Sequence, residues 1–83
     1  MSTLATIGFA LGYPISILVI ARWIPVVRER RWRWFWVHQI AVAMIVMGWI
    51  IEGETRSVAV NSIWLVTAAV WFMRGWLPRR YRR

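Results

Sequence analysis

Three long stretches without an acidic or basic side chain, apart from a lone histidine, decide what this 83-residue chain can fold into. They cover residues 1–21, 34–51 and 57–73. As a helix rising 1.5 Å per residue, the first can cross the roughly 30 Å hydrocarbon core of a bilayer, and the others lie near the lower limit of about 17–18 residues. A soluble helix needs a polar face at 3.6-residue spacing, which residues 42–51 lack. The pattern predicts an all-α membrane protein with three transmembrane helices.

The composition supports this prediction and excludes some sites. Hydrophobic residues make up 60% of the chain, and a soluble chain this short has too little interior to bury them. The absence of Cys excludes a disulfide framework and a thiolate metal site. We therefore expect one membrane domain over residues 1–83. Its predicted parts are helix 1 at about 2–21, a basic, Trp-rich loop at 22–33, helix 2 at 34–51, an outer turn at 52–56, helix 3 at 57–74 and a basic tail at 75–83.

Charge predicts the orientation of these helices. Residues 22–33 carry five Arg and one Glu, residues 74–83 carry five Arg, and residues 52–56 carry one Arg and two Glu. Short loops rich in Arg remain in the cytoplasm. The loop and the basic C-terminus are therefore predicted to be cytoplasmic, with the N-terminus and the 52–56 turn outside. The expected location is the bacterial inner membrane, crossed several times.

The stretch RERRWRWFW at residues 28–36 raises the question of what it contacts. Indole rings favour the headgroup layer, and each basic residue near an anionic surface contributes about 1 kcal/mol. We predict a membrane-interface belt of Trp23, Trp32, Trp34, Trp36, Trp71 and Trp76. We predict contacts with anionic lipids for Arg28, Arg30, Arg31, Arg33, Arg79 and Arg80.

The same stretch has two other interpretations. Interleaved Arg and aromatic residues can hold phosphates and stack bases, but no recognised nucleic-acid module surrounds them, so no nucleic-acid partner is predicted. An interfacial Arg- and Trp-rich segment can also perturb the leaflet in which it lies. That second interpretation stays open, because it is compatible with lipid anchoring.

Small and polar residues inside the spans indicate helix packing. Gly8, Gly12 and Ser16 recur every four residues on one face of helix 1, a spacing that lets helices approach closely. This ridge could pack within the chain or against another copy. Asn61 could bond another helix, another chain or a water-lined lumen, or it could reach the outer surface. The expected partners are membrane lipids and transmembrane helices of the same or other chains.

His38 is the one candidate ligand contact, since an ionisable group inside a membrane is a functional candidate by default. A hydrogen bond to headgroups or backbone is the favoured role. No second His, no Cys and no Asp could complete a metal site, so no metal or cofactor is predicted, although contact with a lipid or pigment stays open. No nucleophile–base pair or phosphate loop is present, so the chain is expected to be neither an enzyme nor a binder of a small-molecule substrate.

In architecture the chain resembles a class I phage holin. The resemblance covers the three spans and the tail RGWLPRRYRR, and it rests on no diagnostic motif. It implies accumulation in the inner membrane followed by collective opening that releases a cell-wall lytic enzyme. One frequent feature of the family is absent, because the second Met is Met44 and a dual start near Met1 is not supported.

A non-catalytic accessory subunit of a respiratory or photosynthetic membrane complex is the alternative function. Such subunits are short, rich in Trp at the membrane boundaries, and pack against larger partners with lipid or pigment in the gaps. Both functions predict the same three helices, and they differ in stoichiometry and toxicity.

Overall fold

The computed structural model describes residues 2–77, and this part of the chain is helical without any β-strand. The elements are α1 (Thr3–Ala21), α2 (Trp23–Arg28), α3 (Trp32–Glu52) and α4 (Thr55–Arg74). Helices α1, α3 and α4 are each long and apolar enough to cross a membrane. The chain is therefore a multi-pass membrane protein. The tail residues Arg79 and Arg80 lie outside the described residues.

The segment between the first two spans contains a short helix, where the sequence predicts a loop over residues 22–33. Pro25 accounts for the break between α1 and α2, because in a continuous helix its ring would clash with the carbonyl of Ala21, the last residue of α1. In α2, Pro25 is the third residue, where a backbone N–H would have no partner within the helix. The next span, α3, begins at Trp32, two residues earlier than expected. Pro14 lies inside α1, which continues through it.

Three helices end in the same motif, with one residue in the left-handed backbone conformation. Gly53 (φ 73°) follows α3 and Gly75 (φ 67°) follows α4, as expected for a residue without Cβ. Arg30 (φ 51°) occupies the equivalent position after α2. The following residue, Arg31, donates its backbone N–H to the Val26 carbonyl at 2.9 Å, which closes the turn. A side chain in this conformation costs about 1–2 kcal/mol, so Arg30 must be held by other contacts.

The spanning helices form a layer in which α3 lies between α1 and α4. Helix α1 packs closely on α3, α4 packs on the other side of α3, and α1 and α4 make little contact with each other. We call the end formed by α2, the start of α3 and the last turns of α1 and α4 the arginine-rich end. The other end, with the Gly53 turn, is the opposite end. The main buried cluster lies toward the arginine-rich end and contains Val19, Trp23, Val26, Val27, Phe35, Ala68 and Phe72.

Candidate functional site

His38 lies at the centre of a hydrogen-bonded network between α3 and α4. Its side chain is fully buried. The Trp64 indole Nε1–H donates to His38 Nε2 at 3.0 Å, and His38 Nδ1 lies 2.8 Å from Gln39 Oε1. The Gln39 amide in turn donates to the Leu65 carbonyl at 3.1 Å. Four polar groups that would be costly in lipid therefore satisfy one another.

This network fixes the tautomer of His38 and removes it as a ligand for an external group. An indole N–H can only donate, so Nε2 must accept and the ring proton lies on Nδ1, facing the Gln39 oxygen. Neither nitrogen has a free lone pair for a metal or pigment. The geometry leaves no ring nitrogen for the predicted ligand role. In place of the favoured hydrogen bond to headgroups or backbone, the ring bonds to the side chains of Trp64 and Gln39. Trp64 lies near the middle of α4, away from the predicted Trp belt, and this position was the available sequence signal for it as the partner.

Trp23 differs from its predicted place at the lipid interface. Only 5% of its surface is exposed, because α2 folds back over the start of α3. Its ring lies 5.3 Å from the ring of His38 and 6.1 Å from that of Trp71, measured between centroids. Its buried indole N–H has no hydrogen-bond partner among the described residues. Trp23 is therefore a core residue of the arginine-rich end.

The other predicted interface tryptophans lie at or near the surface of this end. Their indoles share an amphipathic character suited to the headgroup layer. Four are about half exposed: Trp32, Trp34, Trp36 and Trp76. Trp71 is half-buried and donates its Nε1–H to the Trp76 carbonyl at 2.7 Å, so it bonds within the chain rather than to lipid.

Arg30 points toward α4, in contrast to its predicted contact with anionic lipid. Its guanidinium donates to the carbonyl oxygen of Phe72, one of the last carbonyls of α4. It also lies 4.4 Å from the Phe72 ring centroid and 5.2 Å from that of Trp32. The positive charge thus lies at the negative end of the α4 dipole and over two aromatic faces.

The remaining arginines of the 28–33 segment divide into paired and unpaired side chains. Arg31 donates to Glu29 Oε1 from Nη2 at 2.6 Å and from Nε at 3.2 Å, and Arg28 lies 3.4 Å from Glu29 Oε2. The Arg31 hydrogen bond, together with the charges of both arginines, lowers the pKa of the Glu29 carboxyl below its ordinary value. Arg33 is exposed and makes no side-chain bond with the described residues, and its contact with anionic lipid stays a prediction.

The small-residue ridge of α1 lies against α3 of the same chain. Gly8, Gly12 and Ser16 are all buried. A Cβ at Gly8 would come within 2.9 Å of the Met44 carbonyl oxygen, and one at Gly12 within 2.7 Å of the Ala41 carbonyl oxygen. The ridge therefore serves close packing inside the chain, which was one of the two alternatives that the sequence left open.

Within residues 2–77, Asn61 makes no bond to another helix. Its Nδ2 donates to the Ser57 carbonyl at 2.7 Å, one turn earlier in α4, and the side chain is half-buried. The two buried residues of α4, Ala68 and Phe72, both lie in its second half. The first half of α4 therefore has no fully buried residue, and its polar side chains Asn61 and Ser62 are only half-buried.

A groove of about 550 Å³ lies between α1, α2 and α3 at the arginine-rich end. Its walls are mainly aliphatic, and Arg22 and Arg31 stand at its polar end. Arg22 is exposed and makes no side-chain bond with the described residues. No sequence pattern distinguishes Arg22 from the other arginines, because only the fold brings it beside the start of α3.

Few other side chains among residues 2–77 could take part in catalysis or metal binding. Among residues 2–77, no three His, Asp, Glu or Cys side chains come together as a metal site. No protein-family model, curated protein or solved structure matches the chain, so its geometry and chemistry carry the functional argument.

Proposed function

We propose that this protein works by associating with further copies of itself in the bacterial inner membrane, as a holin-type permeabiliser. The observation that carries the proposal is the first half of α4, which has no buried residue and contains Asn61 and Ser62. In the part of the chain that the structure describes, the Asn61 side chain bonds only to its own helix. A polar side chain in lipid gains about 0.6–2 kcal/mol from an interhelical bond.

The layered arrangement supports association through α4. Because α3 lies between α1 and α4, the outer face of α4 is covered by no other helix of the chain. Apolar residues on that face, such as Ile63 and Val66, are more than 60% exposed. Asn61 lies on another face of α4, that of the buried Ala68 and Phe72 seven and eleven residues later, and it is only half-buried. A second copy that packs at the edge of the contact between α3 and α4 would bring several Asn61 and Ser62 side chains together, which would give a path through the assembly more polar than lipid.

The proposed orientation places the arginine-rich end in the cytoplasm and the Gly53 turn outside. It rests on the excess of Arg at one end. Because the chain has no Cys, single cysteines can be introduced at Glu54 and Arg33 and labelled in intact cells by a membrane-impermeant maleimide. Labelling of the Glu54→Cys protein alone supports the orientation, and labelling of the Arg33→Cys protein alone overturns it.

Expression of the chain alone in bacteria tests the permeabiliser. We expect growth arrest and collapse of the membrane potential, with cross-linked oligomers in the membrane. The Asn61→Leu variant should lose both effects, whereas Val60→Leu, a change at a lipid-exposed neighbour, should keep them. Normal growth with wild-type protein present in the membrane would contradict the proposal.

An accessory subunit of a larger membrane complex is the second candidate, and the groove between α1, α2 and α3 favours it. Such a groove could hold a lipid at a boundary with a larger partner. This function predicts that the chain expressed alone is tolerated, or is degraded for lack of its partner, with the membrane potential intact. The same expression experiment therefore separates the two candidates.

A further inference from the structure

We propose that the groove at the arginine-rich end binds one anionic glycerophospholipid, with its phosphate on Arg22 and Arg31 and an acyl chain along α1. This goes beyond the proposed function, because it assigns a ligand to the folded chain whether or not the chain forms pores. The groove is one continuous surface with an apolar part and a cationic part. An amphipathic ligand is the class that matches both parts.

The apolar part comes from the last two turns of α1 and the first two of α3. Ile15, Leu18 and Val19 line one side, and Trp34 and Val37 line the other. From Ile15 to Arg22 the α1 wall runs about 10 Å along the helix axis, given 1.5 Å per residue. The groove volume of about 550 Å³ lies within the roughly 300–1,000 Å³ typical of ligand sites. The wall is long enough to order the upper part of an acyl chain.

The cationic part has guanidinium N–H donors that no other described residue uses. Arg22 makes no side-chain bond with the described residues. Arg31 uses Nε and Nη2 on Glu29 Oε1, and its guanidinium has five N–H donors in total. Glu29 is the one acidic side chain here, against five arginines over residues 22–33. The end of the groove therefore retains a net positive charge that complements a phosphate diester.

The position of the groove favours a membrane lipid over a soluble phosphate. Arg22 directly follows the spanning helix α1, and Arg31 directly precedes the spanning helix α3. Both guanidinium groups thus lie at the level where lipid phosphates occur, next to a wall that faces hydrocarbon. Basic pockets between transmembrane helices are typical sites for anionic headgroups. A free phosphate would use only the cationic part and leave the aliphatic walls uncovered.

The test uses the full-length chain purified in detergent and mass spectrometry of the intact complex with added lipid. We expect one phosphatidylglycerol to be retained in preference to phosphatidylcholine. Arg22→Gln should weaken the apparent affinity by about fivefold, the value expected for loss of one basic contact. Arg33→Gln is the matched control, since Arg33 is exposed at the same end but does not line the groove.

A second pair of variants tests the apolar part. Ala21→Phe adds a ring at the groove wall and should also reduce lipid retention. Ala10→Phe, at an exposed alanine of the same helix, should not. Circular dichroism shows whether each variant retains its helices, and the Arg22 comparison stands without this pair.

Three results would overturn the proposal. Equal losses of affinity for phosphatidylglycerol in Arg22→Gln and Arg33→Gln would show that the effect comes from the overall positive charge of this end and not from the groove. Equal retention of phosphatidylcholine would remove the role of the arginines. Displacement of phosphatidylglycerol by equimolar inorganic phosphate would identify a site for free phosphate.

Discussion

The guanidinium of Arg30 donates to the carbonyl of Phe72 and lies 4.4 Å from the centroid of the same residue's ring. One side chain thus ties the turn between α2 and α3 to the last turn of α4, 42 residues later. The Phe72 ring in turn stacks on Phe35 at 4.3 Å. This contact explains why an arginine occupies a backbone conformation that glycine adopts at the other two helix ends.

Replacing Arg30 separates the side-chain contact from the backbone strain. Arg30→Ala loses the hydrogen bond and the cation–π contacts but keeps the strained conformation, and we expect a loss of about 2 kcal/mol in the free energy of unfolding. Arg30→Gly loses the same contacts but relieves strain, so it should be about 1 kcal/mol more stable than Arg30→Ala. Denaturation in mixed micelles measures both values. Arg33→Ala, which breaks no bond within the described chain, is the control, and an equal effect there would contradict the role of Arg30.

Buried Trp23 and half-buried Trp64, whose rings both lie near His38, should differ in the cost of losing the indole N–H. Trp64→Phe leaves His38 Nε2 without its donor, and an unsatisfied buried group costs about 1–3 kcal/mol. Trp23→Phe removes an N–H that has no partner among the described residues. We therefore expect Trp64→Phe to be the more destabilising by about 1 kcal/mol or more, measured by the same denaturation. Equal stability of the two variants would show that the His38–Trp64 bond contributes nothing.

The existence of the three spanning helices could be predicted from the sequence, because runs of apolar residues of bilayer length need no knowledge of tertiary contacts. Their internal partners could not. The burial of Trp23 depends on the helix break that Pro25 causes, and on the short helix α2 that packs on α3. The bond between His38 and Trp64 joins residues 26 positions apart.

The groove beside Arg22 could not be predicted from the sequence either, because hydropathy describes the polarity of a residue and not which residues become its neighbours. The small-residue ridge at Gly8 and Gly12 was visible in sequence, but spacing alone cannot distinguish a partner inside the chain from a second copy. That distinction required the position of α3.

We expect unequal effects on stability when one methyl group is added at two of the glycines between α1 and α3. At Gly12 the new Cβ would lie 2.7 Å from the backbone oxygen of Ala41, which cannot move without shifting α3. At Gly48 it would lie 2.6 Å from the edge of the Phe9 ring, which can rotate. Overpacking costs about 1–3 kcal/mol, while Gly→Ala in a helix gains up to about 1 kcal/mol. Gly12→Ala should therefore be destabilising and Gly48→Ala close to neutral in thermal unfolding. A Gly12→Ala protein as stable as wild type would mean that α1 and α3 pack less closely than described.

We expect a weak dependence of stability on pH in the acidic range, because the Glu29 carboxyl titrates there. The hydrogen bond from Arg31, with the charges of Arg31 and Arg28, lowers the pKa of this carboxyl from its ordinary value of 4.5. A group whose pKa is lower in the folded state contributes stability in full above the unfolded pKa, and that contribution is lost as the pH falls through the folded pKa. The melting temperature of the wild type, measured relative to Glu29→Gln, should thus decrease as the pH falls below about 4.5 and through the lower pKa of the folded state.

Salt provides the control for this interpretation. The Glu29 side chain is exposed, so its ion pairs with Arg28 and Arg31 are screened by added electrolyte. The pH-dependent difference between wild type and Glu29→Gln should therefore shrink in about 1 M NaCl, where the Debye length is about 3 Å. A difference that grows as the pH falls, or that persists unchanged at high salt, would show that the carboxylate of Glu29 does not stabilise the turn between α2 and α3 through these arginines.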